Sequence, residues 1–348
     1  MNTATSQLEL PPQSSLVSQP TPLLFFETMH AHQRTAALKT ALDLELFTLI
    51  GEGIGSVAAI AKRASASERG VRAICDFLTV LGFLKKADNR YALTVDSAMF
   101  LDKNSPAYAG SAAKFLTSEF LLEGFKNLTE IVRAGGPAEN KAQRGVDDPI
   151  WVEFARSMAP FLYMLAERTE SLLHTAGKIK VLDIAAGHGL FGISFARHNP
   201  QAEIFALDSA PVLKVAEENA ERSDVSSRWH AVPGDALELP LGAGYDVVLV
   251  PNLLHHWDRA TIQSFLKKVR HALAPNGRIA VVEFAPNDDR VSPPVPASFV
   301  MNMLVTTPAG DAYPASEYRS MLLQSGFEAP EIHPLLPLPH TVFIARTR

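Results

Sequence analysis

The stretch Ile179–Gly192, IKVLDIAAGHGLFG, limits what this chain can fold into more than any other, because it is an apolar run that ends in an acid and then breaks into glycines. Ile179, Val181, Leu182 and Ile184 are mostly β-branched and nearly continuous, the pattern of a parallel strand covered on both faces. Gly187 and Gly189 allow a tight turn and a close approach of backbone to a ligand, and the residues from Leu190 onward read as the covering helix. A nucleotide pocket is the expectation. Gly187, Gly189 and Gly192 spell GxGxxG, and Asp208 closes a second β-type run, Ala202–Asp208, so a dinucleotide fold and a nicotinamide-dependent oxidoreductase form one reading. Asp183, set inside the end of the first strand, and Gly234-Asp235 after a third run, Ser227–Pro233, point to another.

From residue 178 onward strands alternate with helices. Ile179–Ile184, Glu203–Asp208, Ser227–Val232, Tyr245–Val250 and Arg278–Phe284 read as strands, with helices to His198, over Pro211–Arg222 and over Asp258–Leu273. Such alternation implies a parallel sheet wrapped on both faces, with ligands at the carboxyl ends of its strands. Asp258 reads as a helix N-cap, and Pro275-Asn276-Gly277 as the turn into the next strand. Two last β-type runs, Ala329–His333 and Thr341–Ala345, suit an antiparallel hairpin.

This layout resembles class I S-adenosylmethionine (SAM)-dependent methyltransferases, which implies a Rossmann-like α/β domain with a seven-stranded sheet. In that family the first acid and the loop glycines cradle the methionine part of SAM, the acid ending the second strand binds the ribose, and the Gly-Asp pair lies beside adenine. Carried over, the cofactor residues are Asp183, Gly187, Gly189, Asp208, Asp235 and Ala236. The family often has glycine where this chain has Ala185 and Ala186, a departure that narrows the turn.

The chain has 348 residues, of which 47% are hydrophobic, enough for two domains with real cores. A formal charge of −5 offers no general attraction to nucleic acid or anionic lipid and favours a small-molecule ligand. Cys75 is the single cysteine, so no internal disulfide forms, and its apolar helical setting reads as inert core. Met1–Thr21 lacks a basic start followed by an apolar core, and no apolar run is long enough for a bilayer; the expected location is cytoplasmic.

Residues 1–22 are rich in Ser, Thr, Gln and Pro and read as a mobile tail. Residues 23–104 read as a helical domain with a wing. An apolar face runs at helical spacing from Leu23 to Phe47, a short helix follows Ser56, Ser67 caps Glu68–Leu81, and Gly82 ends it before a hairpin over Lys85–Thr94. A winged helix commonly binds DNA, with Lys62, Arg63, Arg69 and Arg72 available to phosphates, but no clustered basic stripe accompanies them. The pattern, down to the ending LGFLKKADNRYALT, resembles instead the N-terminal dimerisation domain of plant-type and bacterial small-molecule O-methyltransferases. That resemblance implies a homodimer.

Residues 105–177 read as further helices, Ser105–Gly136 and Asp147–Thr175, joined by a polar loop. Their apolar residues are chiefly core, with a minority able to line an aromatic pocket, for which Phe154 and Met158 are candidates. Residues 178–348 form the SAM-binding domain.

For chemistry, methyl transfer from a sulfonium is an in-line displacement. Alignment of the reactants supplies up to about 7–11 kcal/mol of barrier reduction, and a general base typically adds about 10²–10⁴-fold. His255-His256-Trp257 follows the strand Tyr245–Val250 at the ligand-binding edge and resembles the His-Asp-Trp motif of plant-type O-methyltransferases. The resemblance makes His255 the base, with His256 in place of the usual aspartate. Glu283 matches the first of two glutamates that flank the base in that family, whereas Ala312 stands where the second belongs, with Asp311 adjacent: either one carboxylate suffices, or Asp311 substitutes, or placement alone drives the reaction. Phe299, Met301 and Met303 resemble the family's substrate-facing helix, so Phe299, Met303 and His256 join the acceptor-binding candidates. Asn287-Asp288-Asp289 reads as a solvated turn, and no metal is expected. The implied activity is methylation of a hydroxyl on an aromatic or polyketide-like small molecule. Non-methylating SAM chemistry, methylation at carbon or nitrogen, and a DNA-binding regulator are the alternatives.

Overall fold

The computed structural model describes residues 20–138 and 145–348. The tail read over residues 1–22 therefore lies almost wholly outside the described residues, as does part of the polar loop after Gly136. The chain divides into two compact units, Met1–Thr94 and Val95–Arg348.

In the first unit the apolar stretch from Leu23 forms three helices, Leu23–Met29, Ala31–Asp43 and Leu46–Gly51, rather than one. The break before Leu46 has a local cause: Glu45 is held at φ 54°, a left-handed conformation that no α-helix can continue through. Two capped helices follow. Ser56 Oγ accepts the N–H of Ala59 at the start of Val57–Arg63, and Ser67 Oγ accepts that of Gly70 at the start of Glu68–Val80. Gly82, at φ 86°, turns the chain into the antiparallel pair β1 (Leu84–Ala87) and β2 (Arg90–Leu93), the wing. Phe47, Ile60, Val71, Cys75 and Leu78 are buried at its centre, while Leu23, Leu24, Phe25, Phe26 and Met29 of the first helix are all exposed.

The second unit begins with short helices, among them Ala113–Leu116, Glu119–Lys126 and Leu128–Ala134. A 25-residue helix, Pro149–Leu173, follows, with Asp148 Oδ1 accepting the N–H of Ile150 and Pro149 in the first turn, where its missing N–H costs nothing. The sheet comprises β3 (Ile179–Ile184), β4 (Ala202–Asp208), β5 (Trp229–Pro233), β6 (Tyr245–Pro251), β7 (Leu273–Glu283), β8 (Glu331–Pro334) and β9 (Thr341–Arg346), in the order β5-β4-β3-β6-β7-β9-β8. All pairs are parallel except those made by β9, which runs antiparallel to both β7 and β8. Strand β7 starts earlier than the sequence suggests. Leu273 already pairs with Tyr245, and the register then shifts, so the expected turn at Pro275–Gly277 is absorbed as an irregularity within the strand.

Alternate residues of the strands serve two cores. Val181, Ile204, Ala206, Val247 and Leu249 pack with Leu165, Phe191 and Phe195 on one face; Leu182, Leu207, Val248, Val250 and Val281 pack with Ile262, Phe265 and Tyr318 on the other. Chain order reverses at β3, which lies between β4 and β6, and in sheets of this kind ligands bind outside the carboxyl ends of the strands at such a switch point. Gly189 caps the helix Leu190–His198 there at φ 77°, and a Cβ added to it would stand 2.9 Å from both Ala216 Cβ and Trp229 Cη2. Gly189→Ala therefore combines backbone strain with overpacking and is expected to cost about 1–3 kcal/mol. Thermal unfolding would register this as a lowered Tm, and an unchanged Tm would mean that the turn relaxes freely around the methyl group.

Candidate active site

One half of the site is a chain of hydrogen bonds across the carboxyl ends of β3, β4 and β5. Asp183 is completely buried and its Oδ2 accepts the Gly192 N–H at 2.9 Å, while Oδ1 has no hydrogen-bond partner among the described residues. Burial pushes its carboxyl up to about 8, only partly offset by that one N–H, and the nearby Asp208 charge adds to the rise. Gly187, at φ 58°, donates its N–H to Asp208 Oδ2 at 2.8 Å, and Ser209 N–H donates to the other oxygen at 2.7 Å. Asp208 is raised to about 6 by burial despite both. Gly234 N–H reaches the Asp208 carbonyl at 3.0 Å, and Asp235 Oδ1 accepts the Leu237 N–H at 2.7 Å. Ala236 is buried beside them. The six sequence-derived cofactor residues thus meet on one rim. Ala185 sits at φ 53° in the same turn, a conformation that glycine would adopt without strain.

A fully buried carboxyl with one oxygen lacking a partner among the described residues, beside a left-handed glycine turn, suits a ligand whose positive charge favours its ionised form. Ser209 is a further residue of this rim that motif reading passed over. Its hydroxyl is buried with no partner among the described residues, and its only sequence signal is its place directly after Asp208.

The other half is built on the loops after β6 and β7. His255 lies on a single turn of 3₁₀ helix, Leu254–His256, and is 4% exposed; Glu283, the last residue of β7, is fully buried. Their contact is direct, Nδ1 to Oε2 at 2.6 Å, and Oε1 also accepts the His255 backbone N–H at 3.3 Å. A carboxylate on Nδ1 makes that nitrogen the proton carrier of a neutral imidazole, so Nε2 holds the free lone pair. Asp311 directs its Oδ2 to Arg290 Nη1 at 2.9 Å, and Ala312 is buried.

Ring contacts extend outward from this pair. Phe299 meets His255 edge-on at 4.9 Å and stacks on Phe284 at 4.1 Å, and Phe284 in turn contacts His340 at 4.1 Å. On the other side His256 lies 4.5 Å from His255 and edge-on to Trp151 at 5.7 Å. Trp151 meets Phe120, which reaches Phe115 and so Phe154. Burial, reinforced by His255, holds His256 well below the usual imidazole range, and the same causes in the same order bring His340 down to about 3. Both are neutral. Of the five acceptor-binding candidates, Phe299 and His256 touch His255, and Phe154 is joined to it through intervening rings. Met158 packs on the core with Phe154, and Met303 is buried one turn beyond Phe299. Sequence reasoning did not single out Trp151, Phe284 or His340, whose contacts join positions far apart in the chain.

A central glycine turn, a reversal of chain order beside it and a final antiparallel strand describe a methyltransferase architecture. Residues 142–328 match the family model of the O-methyltransferase domain, and residues 26–103 match that of the O-methyltransferase dimerisation domain. The chain belongs to the O-methyltransferase family. Among solved structures, a candidate O-methyltransferase from Nostoc punctiforme PCC 73102 is 46% identical, with a TM-score of 0.91 over 95% of this chain and 100% of that one. Human N-acetylserotonin methyltransferase, solved in complex with SAM, shares the fold at 21% identity and a TM-score of 0.82, over 95% of this chain and 99% of its own. The 3-hydroxy-5-methyl-1-naphthoate 3-O-methyltransferase of Streptomyces sahachiroi is 26% identical over 84% of this chain and 86% of its own length. Among the described residues, no helix is long and apolar enough to cross a membrane.

Proposed function

We propose that this enzyme, a SAM-dependent O-methyltransferase, methylates a hydroxyl on a polycyclic aromatic or polyketide-like acceptor with His255 as general base. The observation that carries this reading is the buried His255–Glu283 pair at 2.6 Å, set among aromatic rings at the carboxyl edge of the sheet.

When bound, SAM supplies an electrophilic methyl group on a sulfonium. Asp183 would hold its cationic portion, the Gly187–Gly189 turn would admit its methionine chain, Asp208 would take the ribose, and Asp235 and Ala236 would flank the adenine. The acceptor lies flat among Trp151, His256, Phe299 and Phe284, contacts that suit an aromatic plane. His255 Nε2 takes the hydroxyl proton as the oxygen attacks. Glu283 holds the ring orientation through Nδ1 and stabilises the imidazolium that results. Alignment of the reactants supplies the larger part of the rate gain, and proton removal adds to it. The exposed apolar helix Leu23–Met29 lies mostly within the dimerisation match, and a second copy of the chain is the partner that covers it.

The test is methyl transfer from SAM to a panel of hydroxynaphthoates and hydroxyanthraquinones, with the product located by mass spectrometry and NMR. An O-methyl product is expected. A C- or N-methyl product, or conversion without methyl gain, would replace this reading with one of the two alternatives that share the fold.

A further inference from the structure

We propose that Arg290 and Asp311 are positioning residues for His255, acting through the main chain of the loop that carries it. The inference rests on the reading of His255 as the base. Glu283 fixes the imidazole ring from one side, yet the residue sits on one turn of 3₁₀ helix between a strand and a loop. A base must hold its lone pair within a fraction of an ångström of the acceptor proton, so the loop's backbone needs an anchor as much as the ring does.

That anchor is the segment 310–313. Asp311 donates its backbone N–H to the His255 carbonyl at 3.0 Å, and Tyr313 Oη donates to the Trp257 carbonyl at 2.8 Å. Gly310 approaches so closely that a Cβ there would overlap the His255 carbonyl oxygen. The segment belongs to no helix or strand; Gly310 N–H donates to Thr307 Oγ1 at 2.9 Å and Ala312 and Tyr313 are buried, and an ion pair ties its one charged side chain to the neighbouring loop. Arg290 donates from Nη1 to Asp311 Oδ2 at 2.9 Å and from Nη2 to Glu317 Oε1 at 2.8 Å, Glu317 being on the helix Ala315–Gln324. One planar guanidinium thereby joins the loop after β7, the clasp on His255 and the following helix. Arg290 is itself held in a loop cross-tied by Asn287 N–H to the Ser292 carbonyl at 2.7 Å.

The Arg290 side chain is 42% exposed, and ion pairs of that exposure add little to stability. Its two-pronged geometry, which lysine cannot reproduce, serves placement instead.

Arg290→Ala, Arg290→Lys and Asp311→Asn would be assayed beside His255→Ala, each with an ordinary naphthol and with a nitro-substituted naphthol that is largely ionised at the assay pH. For the naphthol, kcat should fall by about 10- to 100-fold in Arg290→Ala and Asp311→Asn, with KM and S-adenosylhomocysteine affinity little changed and partial recovery in Arg290→Lys. For the ionised acceptor, which has no proton to give up, the loss should largely vanish. An equal loss on both acceptors would reduce the network to general structural support and overturn the proposal. So would full activity of the Arg290 and Asp311 variants in an enzyme that His255→Ala inactivates. If His255→Ala is as active as the parent, the base assignment fails first and this inference with it.

Discussion

Replacing His255 with alanine is expected to lower kcat for a neutral phenol by about 10²–10⁴-fold, the usual contribution of a positioned general base. Cofactor affinity should not follow, because the Asp183, Gly187 and Asp208 rim is built from other loops. Glu283→Gln should lose less than His255→Ala. The amide oxygen can still accept the Nδ1–H, but its NH2 cannot accept the His255 backbone N–H as the second oxygen does, and it cannot neutralise an imidazolium, so ring orientation weakens and charge stabilisation is lost. The double variant His255→Ala/Glu283→Gln should be little slower than His255→Ala alone, since with the ring gone the carboxylate keeps only its bond to the backbone N–H at position 255. Single-turnover rates with saturating SAM separate these effects from binding and product release. Wild-type rates in His255→Ala would leave placement as the main source of catalysis and remove proton abstraction from the mechanism.

The parts of this architecture that were legible in the sequence are those whose cause is local. The β3 strand, its acid and the glycines that follow are fixed by side-chain pattern and by backbone conformations that few residues adopt, and Gly187 and Gly189 do lie at φ 58° and 77°. The caps at Ser67 and Asp258 are local as well, each accepting an N–H three residues on. Glu45 escaped notice because nothing in its side chain signals a left-handed residue, and so one apolar run concealed three helices. The contact of Trp151 with His256 joins residues far apart in the chain, and an aromatic on an apolar helix face reads alike whether it meets core or site. Asp311 shows the same limit in reverse. Its sequence position beside Ala312 suggested a replacement carboxylate, while the decisive partner, Arg290, lies on another loop.

Asp183 gives the second large effect, and it works in opposite directions on affinity and on stability. In the ligand-free protein its pKa stands at about 8 against an ordinary 3.8, with burial as the main cause. The folded state therefore binds more protons than the unfolded state between those values. Its contribution to stability is complete below about pH 4 and is lost as pH rises through about 8. Asp208, raised to about 6 for the same reason, adds its own loss at the lower end of that window, so the interval from about pH 6 to 8 belongs to Asp183. Asp183→Asn keeps an acceptor for the Gly192 N–H and removes the ionisation, so the variant's Tm should decline less than the parent's across that interval. Cofactor binding should show the reverse. A sulfonium and an ammonium favour the carboxylate form, so parent affinity should rise up to about pH 8 with release of a proton. The Asp183→Asn variant should bind SAM about 10- to 100-fold more weakly, the loss expected when a charged hydrogen-bonded contact becomes neutral, without that pH dependence. Calorimetric titration with SAM in two buffers of different ionisation enthalpy measures both quantities at once. Equal affinity and equal proton release in parent and variant would place the cationic end of the cofactor away from Asp183, and a Tm that declines equally in both would mean the carboxyl is already ionised in the ligand-free fold.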